Sequence, residues 1–341
     1  MSRPDLPART PALALAQGRW VKWIGGASNN DLAAIEDLTG LYVLAGVHCV
    51  DVAADAAVVA AARRGITWAM AQGASRPWLM VSLSDGVDPH FRKAWFDPLA
   101  CPPSCPRPCE RVCPALAIGM EATGAPGVLQ ERCYGCGRCL PACPLGLIEE
   151  RHQLLTPEDL PPLLRDLAPD AVEIHTQPGR LEAFQQRVTQ LVASGVPLRR
   201  VAVSAAAEVS AAELWQRFAA LRHHGFLPLW QLDGRPMTGD VGDGTARAAV
   251  QLLRARRTEL PPGPLQLAGG TNGRTLPLLQ RQPDLARSCA GVAFGGVARR
   301  CLQPLLQEAA HRGLRLLAAA DLWPEALRLA RSLVDPWLER P

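Results

Sequence analysis

The sequence predicts an eight-stranded α/β barrel interrupted by a cysteine-rich insertion, and three observations carry that expectation. Eight short apolar or β-branched runs alternate with amphipathic stretches, the pattern of parallel βα units. The amphipathic stretches end near glycines able to cap helices. Eight of the eleven cysteines crowd between Cys101 and Cys143, outside that alternation.

The candidate strands are Trp20–Ile24, Cys49–Ala53, Trp78–Leu83, Ala171–His175, Arg200–Ser204, Leu227–Leu232, Pro264–Ala268 and Gly291–Phe294. Candidate helices between them include Asp31–Ala45, Leu181–Ser194, Ala211–His223 and Leu302–His311, closed by Gly46, Gly195, Gly225 and Gly313. Eight strands point to a TIM barrel, which takes about 250 residues and leaves room in 341 for an insertion. The expected organisation is a first part of the barrel at 18–96, a ferredoxin-like module at 97–150 after the third strand, and the rest of the barrel at 151–335. Periodicity alone does not show closure, so an open doubly wound sheet with the same insertion is the alternative.

An apolar fraction of 48% with 20% charged residues describes a globular chain with ample core. Net charge is only +4, and the arginines are scattered rather than gathered in a stripe, which argues against a nucleic-acid partner. Lys22 and Lys93 are the only lysines. Prolines and charges in Met1–Trp20 interrupt any signal-peptide core. The longest apolar stretch, Leu41–Ala62, carries His48, Asp51 and Asp55 where a bilayer would penalise them, so no transmembrane span is expected. The expected compartment is the cytoplasm, where cysteines act as ligands more often than they form disulfides.

Cys133-Tyr-Gly-Cys136-Gly-Arg-Cys139-Leu-Pro-Ala-Cys143-Pro144 is the complete C-x2-C-x2-C-x3-C-P run of bacterial ferredoxins. Three thiolates of such a run reach one cubane, and the fourth, followed by proline, turns to its neighbour. Cys101-Pro-Pro-Ser-Cys105-Pro-Arg-Pro-Cys109-Glu-Arg-Val-Cys113-Pro114 keeps the closing Cys-Pro but widens every gap to three residues. By this crossover Cys133, Cys136, Cys139 and Cys113 would bind one [4Fe–4S] cluster, and Cys101, Cys105, Cys109 and Cys143 a second. The widened spacing leaves open whether the second is complete or iron-deficient. Structural zinc prefers two C-x2-C knuckles a dozen or more residues apart, which this crowding does not match. Cys49, Cys289 and Cys301 stand alone and read as small buried hydrophobes.

Two glycine-rich strand ends fall where many barrels hold a phosphate: Gly269-Gly270-Thr271-Asn272-Gly273 after strand seven, and Gly295-Gly296-Val297-Ala298-Arg299 after strand eight. Gly269, Gly270, Gly295, Gly296 and Arg299 are therefore candidates for binding FMN or another phosphate ligand, although such glycines also simply make tight turns. Lys22, Asp51, Asp55, Asp85, His175, Asp233 and Asn272 are further polar residues at strand ends, without a recognisable catalytic set. His223-His224 reads as the end of a helix. His90 reads as a solvated loop residue beside the cysteine segment.

Arg76-Pro-Trp-Leu-Met-Val-Ser-Leu-Ser-Asp-Gly-Val-Asp-Pro-His-Phe-Arg-Lys93, together with the two cysteine runs, Gly18-Arg-Trp-Val-Lys22 and Cys49-Val-Asp-Val-Ala-Ala-Asp55, resembles the cyanobacterial light-dependent period (LdpA) family. The resemblance implies an iron–sulfur protein that senses cellular redox state and passes it to the circadian clock, modulating its period, in association with the clock's input kinase and oscillator proteins. An electron donor such as ferredoxin or the quinone pool would feed it. On this reading the chain is a sensor and not an enzyme. The competing expectation is a flavin-dependent oxidoreductase whose clusters relay electrons to FMN at the barrel mouth. A third, structural reading makes the cysteine segment a clip between two lobes.

Overall fold

The computed structural model describes residues 10–88, 91–120, 126–152, 158–235 and 242–340; His90 lies outside them. Strands β1 (Trp20–Gly26), β2 (Cys49–Ala53) and β3 (Trp78–Ser84) open the barrel. The short strands β4 (Arg92–Trp95), β5 (Ile118–Met120), β6 (Pro126–Val128) and β7 (Glu149–His152) belong to the insertion. The barrel resumes with β8 (Ala171–His175), β9 (Arg200–Ser204), β10 (Pro228–Asp233), β11 (Leu265–Ala268) and β12 (Gly291–Phe294). The eight barrel strands pair in parallel and in chain order, and β12 returns to β1 with Trp20 opposite Gly291 and Trp23 opposite Phe294. That last pairing closes the sheet and removes the open alternative.

Closure gives each strand two environments at period two. Outward residues such as Val21, Trp23, Val50, Val81, Ile174, Val203, Leu267 and Val292 pack beneath the helices in one continuous core. Inward residues Trp20, Cys49, Trp78, Met80, Ala171, Ala202 and Leu229 form a separate apolar layer at the strands' N-terminal end, with Leu15 of the helix Pro11–Ala16 packed into it. Cys49 is thus a core residue, as a lone buried cysteine should be. Gly291 has a steric reason to be glycine, since a Cβ there would lie 2.1 Å from the Trp20 carbonyl oxygen.

Helices Leu32–Ala45, Leu181–Ser194 and Ala211–His223 fall where the pattern expects them. Asp31 caps the first, and Ser210 with Glu213 forms a capping box on the third. His224 caps the end of that third helix, the helix-terminus position expected of the histidine pair. The last helix before the C-terminal segment differs: it runs Gly296–His311, starting six residues before Leu302. The glycine run read as a strand end forms its first turn, with the Arg299 N–H donating to the Gly295 carbonyl at 3.2 Å.

The insertion leaves and re-enters the barrel through an antiparallel ribbon of β4 and β7, which pairs Arg92 with His152 and Trp95 with Glu149. The Arg151 guanidinium covers the Trp95 ring at 3.5 Å. Beyond the ribbon, Phe96, Ala117, Ile118, Val128, Ile148 and several cysteines make a small core of their own. Among the described residues no helix is long and apolar enough to cross a membrane.

Helices Leu32–Ala45 and Ala56–Ala71 cross at glycines, where a Cβ on Gly65 would meet the Glu36 carbonyl oxygen at 2.4 Å and the Gly40 nitrogen at 2.9 Å. Gly65→Ala should therefore cost about 1–3 kcal/mol by overpacking, against the usual gain for Gly→Ala in a helix interior. Thermal unfolding of the purified variant checks the sign.

Candidate metal centre and barrel mouth

The ferredoxin run folds as its spacing dictates. Gly135 and Gly137 adopt φ of 73° and 72°, a left-handed geometry open to glycine, and so reverse the backbone between Cys133, Cys136 and Cys139. Cys139 opens a short helical turn ending at Ala142, and Pro144 follows Cys143. In the first run Pro108–Val112 forms the equivalent turn around Cys109, and a contact between these two turns brings the runs together.

Among the described residues no three His, Cys, Asp or Glu side chains converge on one point as around a single ion. Instead Cys113, Cys133, Cys136 and Cys139 line one pocket, with Ala94, Ala117, Ile118 and Leu140 supplying an apolar shell. These four are the group that the crossover assigns to one cluster. Cys143 does not line that pocket and interacts electrostatically with Cys101 and Cys109, and Cys101 with Cys105. All eight thiols are free of disulfides.

The environment suits cluster sulfurs. Burial, then neighbouring Cys136, Cys133 and Cys113, push the Cys139 thiol up to about 12, so ionisation there calls for positive charge supplied by a metal. The Cys143 thiol goes the other way: burial would raise it, but the backbone N–H groups of Leu147, Leu145, Ile148 and Gly146 hold it below the ordinary value. Backbone N–H groups of Ala94, Ala117 and Leu147 donate to the sulfurs of Cys133 (3.3 Å), Cys113 (3.2 Å) and Cys143 (3.4 Å). Such bonds stabilise anionic sulfur and tune a cluster's potential.

The cysteine loop is seated on the barrel. Tyr134, between Cys133 and Cys136, is buried beneath the Arg299 guanidinium at 4.9 Å, and Arg299 also donates to the Gly25 carbonyl at 2.6 Å. Arg92 donates to the Gly135 carbonyl at 3.0 Å and pairs with Glu150. Lys93 is buried between the Asn30 side chain and the Gln130 carbonyl. Arg299 thus serves as a bracket between barrel and cysteine loop, a role its sequence position did not disclose.

Below that loop the barrel interior is polar. Lys22 donates to Asp51 at 2.7 Å and to Glu173, all three being essentially without solvent exposure. Ser82 donates to the other Asp51 oxygen at 2.8 Å. The network continues from Trp20 to Gln266 (2.6 Å), Gln266 to Gln231 (2.8 Å) and Gln231 to Glu173 (2.5 Å). His175 stands with Nε2 3.2 Å from Glu173 and Phe91 edge-on to its ring. Burial alone would push the Lys22 ammonium toward neutrality, but Asp51 and Glu173 hold it well above the ordinary lysine value. Burial, with Glu173 adding to it and Lys22 opposing, pushes the Asp51 carboxyl up to about 6.

Of the polar strand-end residues singled out, the structure brings Lys22, Asp51, His175 and Asp233 to this chamber. Asp55 caps the helix Ala56–Ala71 and borders a smaller pocket, Asp85 is bonded to Thr176, and Asn272 ties its own loop to Gly242 and Thr245. Glu173, Gln231 and Gln266 were missed. Their signal was a charged or amide residue at an inward position of an otherwise apolar strand, two before His175 or Asp233 in two cases. Gly269, Gly270, Gly295 and Gly296 line the chamber wall. Gly269 and Gly270, at φ of 59° and 89°, also lie against the backbone of Arg235 and Thr245, so turn geometry alone accounts for glycine there.

A closed parallel barrel bearing this cysteine module on its C-terminal face defines an iron–sulfur protein built on a TIM barrel. Residues 101–154 match the LdpA Fe-S cluster-binding domain, and residues 163–336 match the Light dependent period A C-terminal domain. Light dependent period A of Synechococcus elongatus is 47% identical over 337 residues, covering 97% of this chain and 94% of that protein. The chain belongs to the light dependent period A family. Among solved structures, a fructose-1,6-biphosphate aldolase of Coccidioides immitis aligns over 97% of this chain and 93% of its own at 10% identity and a TM-score of 0.45. The tryptophan synthase α subunit of Legionella pneumophila aligns over 95% and 98% at 10% identity and a TM-score of 0.38.

Two measurements follow from this geometry. The unfolded chain releases the Asp51 proton near 3.8, whereas the folded protein keeps it to about pH 6. The contribution of this group to stability is therefore fully present below about pH 4 and is lost as pH rises to 6, by up to about 3 kcal/mol. Denaturant titrations across that range should show this slope in the parent chain and not in Asp51→Asn. Arg299→Gln keeps a donor for Gly25 but removes the charge beside Tyr134. With a cluster in the Cys113 group, its midpoint potential should fall by tens of millivolts, the equivalent of about 1–2 kcal/mol, while any second cluster stays put.

Proposed function

We propose that this protein is a redox sensor whose two [4Fe–4S] clusters report the state of the cellular electron pool to the circadian clock and so adjust its period. Cys113, Cys133, Cys136 and Cys139 would hold one cluster, and Cys101, Cys105, Cys109 and Cys143 the other. What supports this reading is that Cys113, Cys133, Cys136 and Cys139 line one pocket while Cys143 interacts with Cys101 and Cys109, and that the cysteine loop is clamped to the barrel through Tyr134 and Arg299.

Reduction would add one negative charge to a cluster in a pocket lined by Arg92 and Glu150, with Lys93 acting electrostatically on Cys133 and Arg299 on Cys136. The bracketing contacts differ in strength between the two redox states, and a partner that binds one arrangement better reads that difference as a signal. The clock's input kinase and oscillator proteins are the partners this implies, with ferredoxin or the quinone pool as electron source, all in the cytoplasm. Residues 97–150 would be the sensing module, and the barrel parts 18–96 and 151–335 its scaffold.

A second reading has an observation of its own. The glycine-lined barrel mouth is large enough for FMN, which would make the clusters an electron relay to a flavin-dependent oxidoreductase.

Protein purified without oxygen should show a broad brown absorption that bleaches on reduction, about eight irons per chain and no flavin bands. Cys139→Ala should lose about four irons, and Cys105→Ala the other four. An iron content that stays near eight in both variants would sink the assignment, and stoichiometric flavin would favour the enzyme.

A further inference from the structure

The chamber beneath the cysteine loop has features that a scaffold does not need. Barrel interiors that only support a fold are filled with layers of Val, Ile and Leu. Here the middle layer is an ionic and amide network, and above it lies a cavity of about 1120 Å³ that opens at the mouth. Every buried charge in that layer carries a desolvation cost of several kcal/mol. Its hydrogen bonds are nevertheless complete enough to hold the groups rigidly in place, the preorganisation expected of a ligand site.

The chamber is also polarised. Its floor presents the carboxyl groups of Asp51, Glu173 and Asp233, with the Gln231 amide donating to Glu173 and Asp233. Arg235 and Arg299 line its wall, while Arg92, which is paired with Glu150, and Arg138 line it on the insertion side, and Asp88 and Glu208 add negative charge to its lining. On the same side as Arg235 and Arg299, the turns at Gly269–Gly270 and Gly295–Gly296 face the chamber without side chains. The roof belongs to the insertion: Val112, Tyr134, Gly137, Leu140 and Pro141. A molecule that fits this gradient has hydrogen-bond donors on its body and an anionic group at one end.

We propose that this chamber binds a phosphate ester whose body carries N–H donors, the donors meeting the carboxylate and amide floor and the phosphate meeting the glycine and arginine wall. The ferredoxin segment is the lid of that site. Tyr134 lines the chamber and stands between two cysteines, so an anion beside Arg299 offsets a positive charge that acts on Cys136 of the Cys113 quartet. Occupancy then lowers the potential of that cluster, and by reciprocity its oxidation state changes the affinity for the ligand. This coupling, unlike the site itself, rests on the reading that the cysteines hold clusters.

The test is calorimetric titration of the full chain, purified without oxygen and with its iron content known, using FMN, riboflavin and inorganic phosphate as probes. FMN should bind at least tenfold more tightly than riboflavin, and phosphate should compete with it. Ala206→Trp, at the rim of the mouth, should weaken FMN binding at least tenfold with the visible spectrum unchanged. Arg235→Gln should weaken FMN and phosphate but not riboflavin. Heat from neither FMN nor phosphate, or FMN affinity unchanged in Ala206→Trp, overturns the site. Binding is read apart from iron content: a chain without clusters that binds FMN supports the site and sinks the sensor reading, whereas a chain with clusters that binds neither probe does the reverse. Saturating phosphate should lower the midpoint potential of the Cys113 cluster, and an unchanged potential overturns the coupling.

Discussion

One ammonium group organises the inside of this barrel. Lys22 lies on β1 with no exposure and sits between Asp51 on β2 and Glu173 on β8. At such distances each attraction is of the order of 5 kcal/mol for an effective dielectric near 20, comparable with the cost of stripping water from the ions. The balance is favourable only while both carboxylates and their outer partners Ser82, Gln231 and Gln266 are in place. Those residues come from strands that meet only when the sheet is closed. The network therefore demands the barrel, and the barrel in turn excludes the water that would otherwise screen it. Apolar layers below and outside hold the groups in register, each fully buried Val or Leu contributing about 1.5–3 kcal/mol.

Above the network the insertion continues the same structure instead of hanging from it. The ribbon of β4 and β7 fixes its root, and Arg92, Lys93 and Arg299 bond to backbone carbonyls or a side-chain amide at the junction of barrel and cysteine loop. The only two lysines of the chain are both buried, one at the barrel centre and one beside Cys133. A compact ammonium suits such positions better than a wide guanidinium, because it takes three bonds in any direction from a small volume. Charge placed this close to sulfur makes the potential of a cluster a property of the whole junction and not of the cysteine loop alone.

Much of this arrangement was legible in the amino-acid order. All eight barrel strands lie within about two residues of where apolar runs indicated them, since a buried parallel strand must be apolar almost throughout. The C-x2-C-x2-C-x3-C-P run disclosed its chemistry because ligand spacing is a local property of the backbone. The helix Gly296–His311 was read as starting only at Leu302 because glycine signals a turn and the first turn of a helix equally well.

The sequence by itself determined the local facts: element type, the cysteine spacing of an iron–sulfur segment, and the glycines that reverse the chain within it. Tertiary structure alone decided which distant residues meet. Closure of β12 on β1, the gathering of Lys22, Asp51, Glu173, His175 and Gln231, and the seating of Tyr134 under Arg299 all join positions far apart along the chain, from 29 residues for Lys22 and Asp51 to 271 for Trp20 and Gly291. No local pattern encodes such pairs, because their energy appears only when the barrel closes and water leaves the space between them.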